Sequence, residues 1–260
     1  MYNYRMKEPE TTHFGYQTIP VEEKTQRVME VFNSVANKYD LMNDLMSFGL
    51  HRYWKKTLIE FAHIKPNDKI LDIAGGTGDL AKGFLKKIGS KGEVYLADIN
   101  LNMLSFGRDK LIDTLGMTHS SRLSQLFLIQ ADAQFLPFPE NYFDKISIGF
   151  GLRNVTNKEK ALNAFYKVLK PGGTLFVLEF SKPLLPLLEK IYDKYSFSIL
   201  PKLGELITGS KESYQYLVES IRKHPDQETM KQIILDTGFD LCEYTNLSCG
   251  IVSIHKAIKL

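Results

Sequence analysis

Apolar residues recur at two different spacings along the chain. Near the N-terminus they lie three and four positions apart, which predicts an amphipathic helix that starts at residue 21 and whose apolar face is Val28, Val31, Phe32, Val35 and Tyr39. A second helix is predicted over residues 44–62. From residue 69 onward the apolar residues form short runs between turn residues and glycines, which is typical of buried parallel strands.

These runs alternate with helical segments. The predicted strands are residues 69–74, 93–99, 125–130, 144–150 and 174–180, and the predicted helices are residues 79–88, 101–115 and 158–169. Strands and helices that alternate at this spacing predict an α/β fold of Rossmann-like type, with a doubly wound parallel sheet. Two further β-like runs, residues 241–246 and 252–258, flank Gly250 and predict a C-terminal antiparallel hairpin.

Two regions interrupt the alternation. Residues 1–20 show little periodicity and are predicted to form an arm. With the two helices that follow, this arm makes up an N-terminal region, residues 1–64, that we expect to cover the active site. Residues 65–260 then form the main domain, which carries a predicted helical insert at residues 181–216, rich in Leu, Ile and Tyr.

Composition adds three constraints. A chain of 260 residues suits one α/β domain with a sizeable core. The net charge of +3 is too small to favour a nucleic-acid partner. The two cysteines, Cys242 and Cys249, cannot by themselves complete a four-ligand zinc site, so we expect no metal and predict that both are buried structural thiols.

The sequence also carries a prediction of location. The first ten residues are polar and lack the apolar segment of a secretory signal. No run approaches the ~18 apolar residues that a membrane span requires. We therefore expect a cytoplasmic protein.

A glycine-rich segment, Asp-Ile-Ala-Gly-Gly-Thr-Gly-Asp at residues 72–79, follows the first predicted strand. Gly76 and Gly78 permit a positive φ and a close approach of a ligand to the backbone at a helix N-terminus. Asp98 ends the next strand about twenty residues later, where an acid can accept hydrogen bonds from two ribose hydroxyls. This spacing alone also fits a dinucleotide-binding fold.

Two more acids and the terminal hairpin separate these alternatives. Asp72, inside the strand, can neutralise a cationic amino-acid group but would repel a pyrophosphate. Asp132 follows the third strand, where it can accept from an adenine amino group. The hairpin is the usual completion of a methyltransferase sheet. The pattern favours S-adenosylmethionine and a class I methyltransferase fold over a nicotinamide-dependent oxidoreductase, and over a purely structural glycine turn.

Several stretches carry a resemblance to a known family. They are Thr-Thr-His-Phe-Gly (11–15), Tyr-Asp-Leu-Met-Asn-Asp-Leu-Met-Ser (39–47) with His51 and Trp54, residues 71–79, Phe-Gly-Leu-Arg-Asn-Val (150–155), residues 168–173 and 178–181, Ser-Ile-Arg (220–222) and His-Pro-Asp-Gln (224–227). On these motifs the chain resembles the bacterial ubiquinone/menaquinone biosynthesis C-methyltransferases over nearly its whole length. The Tyr-Asp-x-Met-Asn and Gly-Leu-Arg-Asn-Val segments are particular to this family.

The resemblance implies a reaction and a set of contacts. It implies that S-adenosylmethionine methylates a ring carbon of a polyprenyl quinol, converting demethylmenaquinol to menaquinol and 2-methoxy-6-polyprenyl-1,4-benzoquinol to its ring-methylated product. By matched position it assigns cofactor contacts to Thr77, Asp98, Asp132 and Ala133. The chain departs from the family at Gly149, where Ser is common, and at Asp132, where Asn is common, so a hydroxyl and an amide donor are absent there. A methyltransferase for another small phenol and a catalytically silent partner protein are the alternatives.

A carbon nucleophile must be electron-rich, and a hydroquinone becomes so when a ring hydroxyl loses its proton. Arg153 and Asn154 follow the fourth strand, at the sheet edge where ligands bind. We hypothesise that Arg153 stabilises the phenolate or orders a water, and that Asn154 fixes the ring; the structural alternative is that Arg153 pairs with a carboxylate. The resemblance suggests that Tyr39 closes over the site, although its spacing also fits core packing. His51 is a weaker candidate for a general base.

The insert has two interpretations. A polyprenyl tail needs an apolar channel, so residues 183–207 are predicted to form walls of the acceptor pocket and to touch the inner face of the membrane. The alternative is a helical cap on the sheet. Contact with a quinone-biosynthesis assembly and formation of a homo-oligomer are both compatible with the sequence.

Overall fold

The computed structural model describes residues 10–36, 39–208 and 211–260. The strands are β1 (Thr11–Phe14), β2 (Gln17–Pro20), β3 (Lys69–Ile73), β4 (Glu93–Asp98), β5 (Leu126–Gln130), β6 (Phe143–Gly149), β7 (Leu169–Phe180), β8 (Leu241–Leu247) and β9 (Val252–Ile258). The helices are α1 (Val21–Val35), α2 (Tyr39–Ser47), α3 (Leu50–Phe61), α4 (Asp79–Lys87), α5 (Leu101–Leu123), α6 (Lys158–Val168), α7 (Pro186–Lys194), α8 (Leu200–Thr208), α9 (Lys211–Lys223) and α10 (Gln227–Asp236).

The main sheet has the strand order β5-β4-β3-β6-β7-β9-β8. The strands from β5 to β7 are parallel, and β9 runs antiparallel to both of its neighbours. The doubly wound sheet and the C-terminal hairpin are therefore confirmed. The chain first winds outward from β3 to β5 and then returns to β6, so the winding direction reverses between β3 and β6, where open α/β sheets bind their ligands.

Side chains on the two faces of this sheet enter two separate apolar clusters. One face packs against the helices α1, α3, α4, α5 and α9, and the other packs against α6 and α10. Strand residues alternate between the clusters: Ile70 joins the first and Leu71 the second. Burial on both faces explains why these strands are continuous apolar runs in the sequence.

The N-terminal segment differs from the predicted arm. Residues 11–20 form an antiparallel hairpin, β1–β2, which turns at Gly15 with a φ of 56°. The Tyr16 amide donates to the Glu219 carboxylate of α9 at 3.0 Å. Strands of four residues are too short to show periodicity in the sequence, and this hairpin is held by contacts with a distant helix.

The second predicted helix, residues 44–62, is two helices. The helix α2 ends at Ser47 and α3 begins at Leu50, because Phe48 and Gly49 both have positive φ values, of 50° and 76°. A left-handed residue cannot continue an α-helix, and glycine takes this conformation without steric cost.

The predictions of a helical insert and of a buried Cys242 are confirmed, whereas the prediction for Cys249 is not. The predicted insert is helical: α7, a π-helical turn at Tyr195–Ile199, α8 and the start of α9. Cys242 is buried as predicted, but the prediction for Cys249 is wrong, since it is exposed in the turn Ser248–Gly250 that joins β8 to β9. Among the described helices, none combines the length and apolar character needed to cross a membrane.

Trp54 joins the N-terminal helices to the carboxyl end of the sheet. Its ring lies 6.0 Å from those of Phe150 and Phe180, and its indole N–H donates to the Ser248 hydroxyl at 2.9 Å. The side chain is 1% exposed. A single residue thus ties α3 to β6, β7 and the terminal hairpin.

We expect Trp54→Ala to lower the free energy of unfolding by about 3–5 kcal/mol, the usual loss when a large aromatic core side chain is deleted. Trp54→Phe keeps a ring at this position and serves as the matched control with a smaller loss. Urea unfolding followed by far-ultraviolet circular dichroism measures both. A loss below about 1 kcal/mol in the alanine variant would contradict this assignment.

Candidate active site

A cavity of about 760 Å³, continuous with solvent, opens at the carboxyl ends of β3, β4, β5 and β6. Its described walls come from α1 and the strand ends and include Val28, Met29, Phe32, Ile73, Ala74, Gly76, Asp98, Asp132, Ala133, Gln134, Phe150 and Asn154. The cavity therefore lies at the point where the sheet winding reverses.

The glycine-rich loop turns sharply between β3 and α4. Ala74, Gly76 and Gly78 have φ values of 52°, 54° and 77°. Gly76 lines the cavity, whereas Gly78 faces α5, where a Cβ atom would lie 2.9 Å from the Leu111 Cδ1 atom. Gly76 thus leaves room for a ligand, while Gly78 lets two helices pack closely.

The left-handed conformation of Ala74 restricts which residue can occupy position 151 in the neighbouring loop. Its methyl group would lie 2.6 Å from a Cβ atom at residue 151, so only glycine fits there. Gly151 belongs to the Gly-Leu-Arg-Asn-Val segment, which the sequence singled out without a physical reason for its glycine. The structure supplies that reason, because two neighbouring loops meet at these residues.

Asp98 holds the loop in place from the end of β4. Its Oδ2 atom accepts from the Gly76 amide at 2.9 Å, and its Oδ1 atom accepts from the Asn100 amide at 2.9 Å. Burial raises the pKa of Asp98 to about 6. Each carboxylate oxygen keeps a lone pair and the side chain lines the cavity, so it can still accept hydrogen bonds from a ligand.

Asp132 and Ala133 lie at the end of β5 and also line the cavity. The Asp132 Oδ1 atom accepts from the backbone amide of Gln134 at 2.8 Å, which fixes the direction of the carboxylate. Ala133 is buried and supplies an apolar surface beside it. This pair suits a flat heterocycle with an exocyclic amino group.

Asp72 and Thr77 lie behind the loop, outside the cavity. The Asp72 carboxylate is fully buried and accepts from the Ser147 hydroxyl at 2.7 Å and from the Ala81 amide at 3.2 Å. Burial raises its pKa to about 7. Thr77 is buried, and its hydroxyl lies 3.5 Å from Lys110 Nζ. Both residues contact neighbouring elements of the fold.

A charged cluster behind the loop was absent from the sequence predictions. The Asp79 carboxylate lies 2.7 Å from Lys55 Nζ and 2.9 Å from Lys110 Nζ, and Lys110 also pairs with Asp40 at 2.7 Å. Burial alone would raise the pKa of Asp79, but the two ammonium groups hold it well below its usual range. The cluster joins α2, α3, α4 and α5, and no sequence spacing indicates it because its members come from four elements.

Arg153 makes the ion pair that the structural alternative predicts. The buried guanidinium lies 2.8 Å from the Glu179 carboxylate of β7, which is also buried, and it donates to the Phe150 carbonyl. Arg153 is not among the described residues that line the cavity, whereas Asn154 is. Asn154 Oδ1 accepts from the Tyr216 hydroxyl at 3.0 Å.

The remaining candidates lie elsewhere. Tyr39 begins α2, but its side chain lies outside the described part of the structure. His51 is buried away from the cavity, with its Nε2 atom 2.9 Å from the Asp44 carboxylate, and burial lowers its pKa. The insert contributes no described residue to the cavity wall, and α1 forms that wall instead.

The cavity fits S-adenosylmethionine better than a dinucleotide. Its described walls carry two carboxylates, Asp98 and Asp132, and no lysine or arginine. A pyrophosphate would meet negative charge without compensation, whereas ribose hydroxyls, an adenine amino group and a cationic ligand suit these acceptors. Gly76 provides the close backbone approach.

Comparisons with known proteins agree with this geometry. The model of the ubiE/COQ5 methyltransferase family matches residues 21–259. The chain is 58% identical to the ubiquinone/menaquinone biosynthesis C-methyltransferase UbiE of Cellvibrio japonicus, over 98% of this chain and 100% of that protein. It is 56% identical to the protein of the same name from Francisella philomiragia, over 97% and 99% of the two chains.

A solved structure shows the fold independently. The crystal structure of a SAM dependent methyltransferase from Aquifex aeolicus superposes with a TM-score of 0.57 at 16% identity, over 81% of this chain and 92% of that chain. The chain belongs to the ubiE/COQ5 methyltransferase family and is an enzyme that uses S-adenosylmethionine.

Proposed function

We propose that the enzyme methylates a ring carbon of a polyprenyl quinol, converting demethylmenaquinol to menaquinol and 2-methoxy-6-polyprenyl-1,4-benzoquinol to its ring-methylated product. The observation that carries this proposal is the mixed lining of one cavity. Asp98 and Asp132 are its carboxylates, Val28, Phe32 and Phe150 supply apolar walls, and Asn154 is a neutral polar group. Such walls suit an aromatic ring that bears a ring oxygen. The names of the two relatives support the same substrate class.

The chain's own residues position the reactants. S-adenosylmethionine, held beside Gly76, Asp98 and Asp132, would supply an electrophilic methyl group on a positively charged sulfur. The new carbon–carbon bond would form as the carbon–sulfur bond breaks, and the proton on the ring carbon would leave to water. The walls hold the ring in line with the methyl group, and such positioning supplies much of the rate in displacement reactions. The apolar residues limit access of water to the reacting atoms.

Arg153 has a positioning role in this proposal. Its guanidinium charge is neutralised by the ion pair with Glu179, away from the ligand. Its hydrogen bond to the Phe150 carbonyl fixes the turn that carries Asn154. The phenolate is therefore stabilised by neutral donors on the cavity wall.

The polyprenyl tail of the proposed substrate favours contact of the enzyme with a membrane surface. Phe48 is 73% exposed and packs on Tyr195 of the insert with ring centroids 4.6 Å apart. Leu184, 60% exposed, donates from its amide to the Cys249 carbonyl at 2.9 Å. Phe48, between α2 and α3, and Leu184, in the insert, are thus exposed apolar side chains on two segments that each pack on a neighbouring element. Such a surface suits the headgroup boundary of a bilayer.

The structure also has a basic groove. It lies between α3, α4 and α5, and among its described lining residues lysines and one arginine outnumber the acids Asp40 and Asp79. Lys55 and Lys110 pair with Asp79, but Lys56, Lys82 and Lys86 have no carboxylate within 4 Å among the described residues. These three charges fit the phosphates of anionic lipids, at about 1 kcal/mol per residue near such a surface.

The Asp98 carboxylate must be ionised for both of its oxygens to accept hydrogen bonds from a ligand. Because its pKa is about 6, protonation competes with binding, and the Kd for S-adenosylmethionine should rise up to about tenfold per pH unit below that value and stay level above it. Isothermal titration calorimetry measures the profile. Asp98→Asn should weaken binding about 10- to 100-fold and abolish the pH dependence. A wild-type Kd that is constant between about pH 5 and about pH 8 would refute this role.

The reaction itself is tested with methyl-labelled S-adenosylmethionine and a reduced demethylmenaquinol that carries a short prenyl tail. Mass spectrometry should find the label on a ring carbon, and activity should fall in Asp98→Asn. Asp236→Asn, at the surface end of α10, is the matched control and should retain full activity. Methylation on oxygen, or binding of S-adenosylmethionine without transfer to any quinol, would exclude the proposed function.

The membrane contact is tested by vesicle co-sedimentation. We expect stronger binding to vesicles that contain phosphatidylglycerol than to phosphatidylcholine alone. A variant with Lys56→Glu, Lys82→Glu and Lys86→Glu should lose at least about tenfold in affinity. A variant with Lys91→Glu, Lys167→Glu and Lys256→Glu has the same net charge change outside the groove and should bind like the wild type. Equal losses in both variants would contradict a role for the groove.

A further inference from the structure

The two ends of the Asn154 side-chain amide have different surroundings. The residue ends the 3₁₀ turn Leu152–Asn154 and lines the cavity. Its oxygen Oδ1 accepts from the hydroxyl of Tyr216, on α9, at 3.0 Å. Its nitrogen Nδ2 has no hydrogen-bond partner among the described residues. The donor end of the amide is therefore the end that remains for a ligand.

Burial of Tyr216 fixes this orientation. The side chain is 4% exposed, and burial raises the pKa of its hydroxyl well above the usual value, so the group stays protonated and can donate. Asn154 is the one described acceptor for this hydroxyl. If the amide were reversed, the phenol proton would be buried without an acceptor, which is a costly arrangement. The protonated tyrosine thus selects one of the two amide orientations.

Tyr216 is itself held by packing. Its ring stacks on that of Phe14, with centroids 4.1 Å apart and planes inclined by 17°. Phe14 belongs to the N-terminal hairpin, whose turn is anchored to α9 through Glu219. The hairpin, the tyrosine and the amide form a continuous set of contacts that ends at the cavity.

We propose that Tyr216 is a positioning residue that turns the Asn154 amide so that its N–H groups donate to a ring oxygen of the quinol. This inference rests on the proposed function. As the ring hydroxyl gives its proton to water, negative charge develops on that oxygen and is shared with the ring carbon that attacks the methyl group. The donor stabilises the charge before the carbon–carbon bond forms and the carbon–sulfur bond breaks. The ring-carbon proton then leaves to water and aromaticity returns.

The test is the pH dependence of kcat in Tyr216→Phe, which keeps the stacked ring and removes the hydroxyl. We expect kcat to fall about tenfold or more, with an unchanged Kd for S-adenosylmethionine. The midpoint of the kcat profile should move about one pH unit upward per tenfold loss, because the bound ring hydroxyl becomes harder to ionise. A purely structural role would lower kcat without moving the midpoint.

Two further variants complete the experiment. Tyr95→Phe removes a hydroxyl that donates to the Glu93 carboxylate at 2.7 Å, outside the cavity, and should leave the profile unchanged. Asn154→Asp keeps an acceptor for Tyr216 but offers the ring no donor, so its loss of kcat should exceed that of Tyr216→Phe.

Several outcomes would overturn the inference. Wild-type kcat and midpoint in Tyr216→Phe, a loss of kcat with no midpoint shift, or near-normal turnover in Asn154→Asp would each do so. All three require that the wild type methylates the quinol. Absence of wild-type transfer would instead overturn the proposed function, so the two failures are distinguishable. Should Tyr216→Phe fold poorly by circular dichroism, Asn154→Asp decides alone.

Discussion

The hydrogen bond between the Asp98 carboxylate and the Gly76 amide is the contact on which the site depends. It fixes the loop after β3 to the end of β4, beside the cavity at this edge of the sheet. The loop is held in a left-handed conformation at Ala74, which is costly for a residue with a side chain and persists only where surrounding contacts determine it. The same carboxylate lines the cavity and keeps lone pairs that can accept from a ligand. One buried acid thus shapes the loop and is available to a ligand beside it, and its raised pKa is the consequence of that burial.

Charge elsewhere around the cavity is compensated locally. Asp79 is matched by Lys55 and Lys110 behind the loop, and Arg153 is matched by Glu179 between β6 and β7. A buried ion pair is weak evidence for net stability, but loss of one partner leaves an uncompensated charge at a cost of about 3–5 kcal/mol. These ion pairs therefore hold the helices and strands that they connect in fixed relative positions. They leave the described cavity walls without a free cation.

The sequence predicted the sheet well, because strands buried on both faces must be continuous apolar runs and their connections follow strict handedness. It also placed Gly76, Asp98, Asp132, Ala133 and Asn154 at one sheet edge, where the structure has them lining one cavity. It could not separate these from Asp72, because whether an acid at a strand end faces the ligand or the following helix depends on the loop geometry. The hairpin β1–β2 and the Glu179 partner of Arg153 were missed for a related reason. Both depend on contacts between residues far apart in the sequence.

Because Glu179 neutralises the charge of Arg153, another group must stabilise the negative charge that develops on the quinol ring. A free guanidinium in the cavity would lie close to the positively charged sulfur that must bind there, and the two charges would repel each other. A neutral amide donor avoids this repulsion and still favours a developing oxyanion, as preorganised donors do in other enzymes. The cost is that an amide is effective only in one of its two orientations. The protonated hydroxyl of Tyr216 supplies that orientation, so a buried phenol outside the cavity wall becomes part of the catalytic geometry.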